Sequence, residues 1–237
     1  MEETGNYLHL SGVLTDAPTY GHEVFGEKFY YATLSVPRLS GAEDLLPITL
    51  SERLMEGVNL EVGAPLCLEG QLRSYNKVVE GAGRLLITGF AQRLLDPDTE
   101  ENPNQVQLTG ALCKLPSYRT TPFGREIADL MLAVNRAYGK SDYIPCITWG
   151  RTARFASHLK VGDKVTLIGR FQSRAYQKQL ADGSVIGKTA YEVSVSRLSM
   201  ADQQTVQPTV PFVMPAHDDL VIGSSLATDP AGFGGTQ

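Results

Sequence analysis

Residues 144–173 read IPCITWGRTARFASHLKVGDKVTLIGRFQS. Ile144 to Trp149 is rich in apolar groups, as a strand would be. Arg151 to Leu159 has the spacing of one or two helical turns, closed by Lys160-Val161-Gly162-Asp163. Val165, Leu167, Gly169 and Phe171 then alternate with Thr166, Ile168, Arg170 and Gln172, the two-residue period of a half-buried strand. Working outward, Gln105 to Thr109 alternates polar and apolar groups, and Ile127 to Val134 is a further apolar stretch. Downstream, Tyr191, Val193 and Val195 alternate with Glu192, Ser194 and Ser196. Five strands with a short helix between the third and fourth is the strand count and order of an OB-fold, a five-stranded Greek-key barrel.

The pattern occurs twice. At an offset of 98, Leu10 and Gly12 align with Leu108 and Gly110, Pro18 with Pro116, residues 32–36 with 130–134, and Pro47 with Pro145. After a one-residue slip, Val62-Gly63 aligns with Val161-Gly162, and Gly70-Gln71-Leu72-Arg73-Ser74 with Gly169-Arg170-Phe171-Gln172-Ser173. Self-similarity at a fixed period marks duplicated units. The sequence therefore predicts an all-β chain of two tandem OB-fold barrels: a divergent domain at 1–97, a charged and proline-bearing linker at 98–103, and a second domain at 104–199. A disordered tail at 200–237 is expected from its Gln, Thr, Pro, Gly and Ala content.

Charge separates the two copies. Residues 1–97 hold seven Lys/Arg against thirteen Asp/Glu, a net of −6; residues 104–199 hold fourteen against six, a net of +8. The linker and tail are acidic, so the whole chain is −5. A polyanion responds to local potential, so the second copy is the expected binding unit. Single strands are held by bases stacked on aromatic rings and by phosphates meeting cations. An OB-fold grips with its second and third strands and with the loops joining strands one to two and four to five. The first such loop, Lys114 to Arg125, offers Tyr118, Arg119, Phe123 and Arg125. The second, Arg174 to Lys188, offers Arg174, Tyr176 and Lys178. The second strand ends in Arg136 and Tyr138, and the third presents Tyr143, Ile147 and Trp149 ahead of Arg151 and Arg154.

These motifs resemble bacterial single-stranded DNA-binding proteins: Leu132-Ala133-Val134-Asn135-Arg136, then residues 142–153 (DYIPCITWGRTA), Gly169 to Tyr176, and Tyr191-Glu192-Val193. The resemblance implies base stacking at Tyr143, Trp149 and Tyr176, and phosphate or base contacts at Arg136, Arg151, Arg170 and Arg174, with Gln172 beside them. In the first copy it leaves Tyr20, Phe25, Arg38, Arg73, Tyr75 and Lys77 as weaker contacts, since Leu45 and Ser51 stand where the second copy has Tyr143 and Trp149. Family members with one barrel per chain usually assemble as tetramers, so two barrels per chain imply a homodimer of four. They also end in an acidic tip closed by Pro-Phe that recruits replication and repair partners. Here the end is Asp229 to Gln237, and His217 to Ile222 is the nearest acidic-apolar segment.

Other classes fit less well. His9, His22, His158 and His217 are scattered; there is no GxxxxGK[ST] and no GxSxG, so neither a catalytic site nor a cofactor is expected. Cys67, Cys113 and Cys146 form no CxxC, which argues for reduced thiols without a metal. No run of 18 apolar residues occurs and MEETGNYLHL is not a secretory signal, so a cytoplasmic, nucleoid-associated protein without membrane contact is expected. An OB-fold protein–protein adaptor and a single-stranded RNA binder stay open as alternatives.

Overall fold

The alternating segments fold as strands whose inward residues form the core. The computed structural model describes residues 5–79, 82–97, 103–136, 139–179 and 183–201, with the side chains of 77–79, 82, 83 and 178 left out. In the first copy β1 (Asn6–Leu14) is followed by β2 (Thr19–Val24), β3 (Glu27–Pro37), β4 (Glu43–Ser51), α1 (Glu52–Met55), β5 (Pro65–Val79) and β6 (Ala82–Leu95). The second copy repeats the order as β7 (Asn104–Leu112), β8 (Ser117–Thr120), β9 (Glu126–Asn135), β10 (Ser141–Trp149), α2 (Gly150–Ala156), β11 (Lys164–Gln179) and β12 (Val185–Met200).

Among the described residues the strands form one twelve-stranded sheet in the order β2-β3-β4-β6-β5-β1-β7-β11-β12-β10-β9-β8, with β3–β1 and β7–β9 pairings closing each half. Each half is thus a closed barrel, and the order reads the same from either end. Leu8, Leu10, Leu14, Leu34 and Val36 are buried in the first core; Val106, Leu108, Leu112, Leu132 and Val134, their equivalents at offset 98, are buried in the second. The barrels meet where β1 pairs antiparallel with β7, Leu8 against Val106.

Two local features differ from the sequence-based expectation. Each first loop contains a further strand, β2 or β8, hydrogen-bonded to the strand that follows. The turn after β8 closes through Gly124 N–H to the Thr121 carbonyl at 2.9 Å, with Gly124 at φ +75, so a polar stretch that lacks core residues still forms a hairpin. The fourth-to-fifth loops are two-stranded ribbons: β11 pairs with β12 from Val165 to Gln179, and β5 with β6 from Cys67 to Val79. At about 3.3 Å per residue, a 16-residue strand such as β11 extends about 50 Å, well beyond its own barrel.

Each ribbon is bulged opposite its glycine: Gln92 of β6 is left unpaired across from Glu69 and Gly70, and Ser196 of β12 across from Ile168 and Gly169. A Cβ at Gly70 would collide with the Phe90 carbonyl, and one at Gly169 with the Ser194 carbonyl. The bulge is bracketed by a side-chain amide that stands in for a missing ladder partner. Asn6 accepts from Leu72 N–H at 2.9 Å and donates to the Leu72 carbonyl at 2.7 Å. Asn104 does the same at Phe171, at 2.8 and 2.7 Å. Both asparagines are buried, so these bonds also satisfy groups that water cannot reach.

Candidate nucleic-acid interface

Alternation along β10 sends Ile144 and Cys146 to the core and Tyr143, Pro145 and Trp149 to the outer face; Ile147, expected beside them, is buried. Trp149 is 40 % exposed at the end of a strand whose other residues are buried or half-buried. Beside it an open cleft of about 420 Å³ is lined by Arg38, Arg170, Gln172, Ser173, Arg174 and Ser194. The arginines there are held by a line of hydrogen bonds across the ribbon. Arg170 donates to the Gln172 side-chain carbonyl at 3.0 Å, Gln172 donates to Glu192 at 2.9 Å, and Arg174 pairs with Glu192 at 3.0 Å. The Arg174 guanidinium also sits 6.0 Å from the Tyr176 ring centre. The bond to Glu192 holds the Arg174 pKa above its ordinary value.

The structure therefore brings Trp149, Arg170, Gln172, Arg174 and Tyr176 onto one face, and adds Arg38 from the other domain. Arg136 and Tyr143 lie toward the opposite end of β10. Tyr143 and Trp149 are six residues apart, about 20 Å along an extended strand. Arg136 pairs with the buried carboxylate of Asp142. A third group surrounds two acids at the outer edge. Tyr118 donates to Glu126 at 2.7 Å, Arg154 pairs with Glu126 at 2.8 Å, and Arg119 pairs with Asp129. Arg125 and Phe123 occupy the β8–β9 tip, Phe123 being 72 % exposed, and Arg151 is exposed on α2. Tyr138 and the tail from residue 202 lie outside the described residues, as do the side chains of Lys77 and Lys178.

The first copy's outer face holds rings that the sequence reading passed over. His22 stacks on Phe29 at 5.1 Å, Phe29 meets Phe90 at 5.7 Å, and the Arg73 guanidinium lies 5.8 Å from the Phe90 ring centre. His22 Nδ1 is 3.0 Å from the Tyr31 hydroxyl. Among the residues that were named, Tyr20 meets Tyr30 edge-on at 6.1 Å, and Tyr75 is partly exposed. Phe25 stands fully exposed at the β2–β3 tip with φ +51. Phe25-Gly26 and Phe123-Gly124 are equivalent at offset 98, so both copies place a phenylalanine at a hairpin tip.

Two acids also went unread as functional. Asp44 and Asp142 are equivalent at offset 98, and each is completely buried against the other copy's ribbon. Asp142 accepts from Arg136 at 2.9 Å, from Arg73 at 3.0 Å and from Ser74 N–H at 2.6 Å; the Ser74 hydroxyl accepts from Tyr143 N–H at 2.7 Å. Asp44 accepts from Arg38 at 2.7 Å, from Arg170 at 3.1 Å and from Ser173 N–H at 2.8 Å; the Ser173 hydroxyl accepts from Leu45 N–H at 3.2 Å. Burial alone would raise the Asp142 pKa. The Arg136 guanidinium, the Ser74 amide and Arg73 together outweigh it and hold the carboxyl below its ordinary range. The identical spacing Arg38 to Asp44 and Arg136 to Asp142 was the available signal.

Two tandem OB-type barrels, the second exposing rings and arginines on its third strand and ribbon, define the class of protein. The model of the single-strand binding protein family matches residues 103–201. Single-stranded DNA-binding protein A of Bacillus subtilis (strain 168) is 41 % identical over 83 residues, 32 % of this chain and 48 % of that protein. Single-stranded DNA-binding protein B of the same strain is 37 % identical over 83 residues, 32 % of this chain and 74 % of that protein. The wild-type single-stranded DNA binding protein from Thermus aquaticus has a similar structure, with a TM-score of 0.63 and 25 % identity over 86 % of this chain and 96 % of that one. The chain belongs to the single-strand binding protein family. It spans about half the length of the first curated relatives it matches.

Proposed function

We propose that the chain binds single-stranded DNA without sequence preference, chiefly through the second barrel, and so protects exposed strands in replication, recombination or repair. The observation that carries this reading is Trp149, exposed at the edge of a cleft walled by Arg38, Arg170 and Arg174. A base stacked on such a ring contributes about 1–3 kcal/mol whatever its identity, because every base has a π-face. Arginine forks meet phosphate oxygens two at a time. The first barrel, at −6, is repelled by phosphates and serves mainly to build the assembly, with weaker strand contact through Arg73, Tyr75 and its ring cluster. The assembly is a homodimer of four barrels, and the acidic tail recruits replication and repair proteins at the nucleoid.

Trp149 is the only tryptophan, so its fluorescence reports this cleft alone. Titration with oligo-dT is expected to quench it strongly at low salt and less at high salt, while the matching duplex leaves it unchanged. Absence of quenching by the single strand would leave the adaptor reading in the lead. Equal quenching by oligo-rU would extend the ligand class to RNA.

A further inference from the structure

Arg38 is a first-domain residue and Arg170 a second-domain residue, yet both close on one carboxylate, that of Asp44. The Asp44 side chain keeps 1 % of its surface exposed, whereas those of Arg38 and Arg170 keep 26 % and 35 %. Two guanidiniums on one carboxylate leave the cluster with one positive charge in excess. Arg38 also donates to the Ser173 carbonyl at 3.1 Å, which aims its fork along the second domain's ribbon. Burial, and then the charge of Arg38, lower the Arg170 pKa; the two cations lie close enough to repel. A half-buried excess charge beside an exposed aromatic ring calls for an anion joined to a flat group.

We propose that the cleft beside Trp149 is a composite phosphate site, in which Arg38 of the first domain and Arg170 of the second together hold one phosphodiester of the strand whose base lies on Trp149. Asp44 is the positioning residue that sets both forks. The inference rests on the reading that the chain binds a single strand, and deepens it: the acidic first domain completes the second domain's site. The equivalent cluster at Asp142 gathers Arg136 and Arg73 in the same two-to-one ratio. There Ser51 stands in place of Trp149 and Gln71 in place of Arg170, so only one side joins a second-arginine fork to a tryptophan.

The test is a Trp149 titration of the full chain with oligo-dT at several salt concentrations, for wild type, Arg38→Gln, Arg38→Lys and the first-domain surface control Arg93→Gln. Loss of one phosphate contact is expected to make the slope of log K against log salt shallower by about 0.7 in Arg38→Gln. Its affinity should fall roughly tenfold, as for a lost charge-assisted hydrogen bond. Arg38→Lys keeps the charge and loses the fork, so its slope stays and its affinity falls a few-fold. Arg93→Gln leaves both unchanged. An unaltered slope in Arg38→Gln overturns the composite site while strand binding by the wild type stands. Should Arg38→Gln fail to fold, wild-type affinity in Arg38→Lys overturns it instead. No quenching in the wild type removes the functional reading itself.

Discussion

Leu8 and Val106 face each other across the β1–β7 pairing, and they are also equivalent positions of the 98-residue repeat. A residue paired with its own equivalent lies on a local two-fold axis. Asn6 against Leu108 and Leu10 against Asn104 follow the same symmetry. One chain thus folds as the two halves of an isologous dimer, each surface complementary to its copy. The symmetry also makes the Asp44 and Asp142 clusters reciprocal: each barrel grips the other's ribbon.

Asp142 and Asp44 are expected to dominate the stability of that arrangement. Asp142→Ala leaves Arg136 and Arg73 facing each other in a half-buried site, and breaking a buried pair of this kind costs about 3–5 kcal/mol. Urea denaturation of the variant should show a loss of that order, with Asp44→Ala similar.

The same carboxylate gives an acid dependence. Because the folded-state pKa of Asp142 is depressed, its contribution is fully present above the unfolded value of about 3.9 and is lost as pH falls through the lower folded value. Thermal midpoints measured downward from pH 5 should fall steeply in the wild type. They should fall less in Asp142→Asn, whose starting stability is already lower.

Truncation of rings should separate stacking from charge. Trp149→Ala, Tyr143→Ala and Tyr176→Ala should each weaken oligo-dT binding by about 1–3 kcal/mol while leaving the salt slope in place. Fluorescence anisotropy of labelled oligo-dT reads all three variants, including Trp149→Ala, which lacks the intrinsic reporter. An unchanged affinity for Tyr143→Ala and Tyr176→Ala would confine the stacking surface to the Trp149 cleft.

Phe25 combines full exposure with a positive φ, which costs about 1–2 kcal/mol for a residue with a Cβ. Phe25→Asn, a residue that tolerates this backbone conformation, should raise stability by up to about 1 kcal/mol in thermal unfolding. A gain in stability joined to a loss of strand affinity would show that the strain is kept for binding.

Gly169→Ala should cost about 1–3 kcal/mol, because its methyl group would meet the Ser194 carbonyl at the bulge and the ribbon would have to shift. Gly169 lies opposite the Ser196 bulge and directly before Arg170, so a shift there should also weaken strand binding through Arg170 and Arg174.

The barrels follow from local patterns in the chain. Inward leucines at two-residue spacing, the helix between strands three and four, and the 98-residue offset are local patterns that need no partner to be read, and the charge contrast between copies follows from counting. That Trp149, Arg170 and Arg174 share one cleft was legible because the third strand and the ribbon are where such a barrel presents its surface. Tertiary structure alone decided that the fourth-to-fifth loops are long ribbons, since their polar and glycine-bearing stretches become strands only when each finds the other's backbone hydrogen bonds. It also decided the fate of Asp44 and Asp142. In the chain Asp44 is one acid in an acidic domain, more than 120 residues from Arg170 and Ser173. Burial between the barrels is what turns it into the anchor of two arginines, because a carboxylate removed from water is stable only where cations and amides from both copies converge on it.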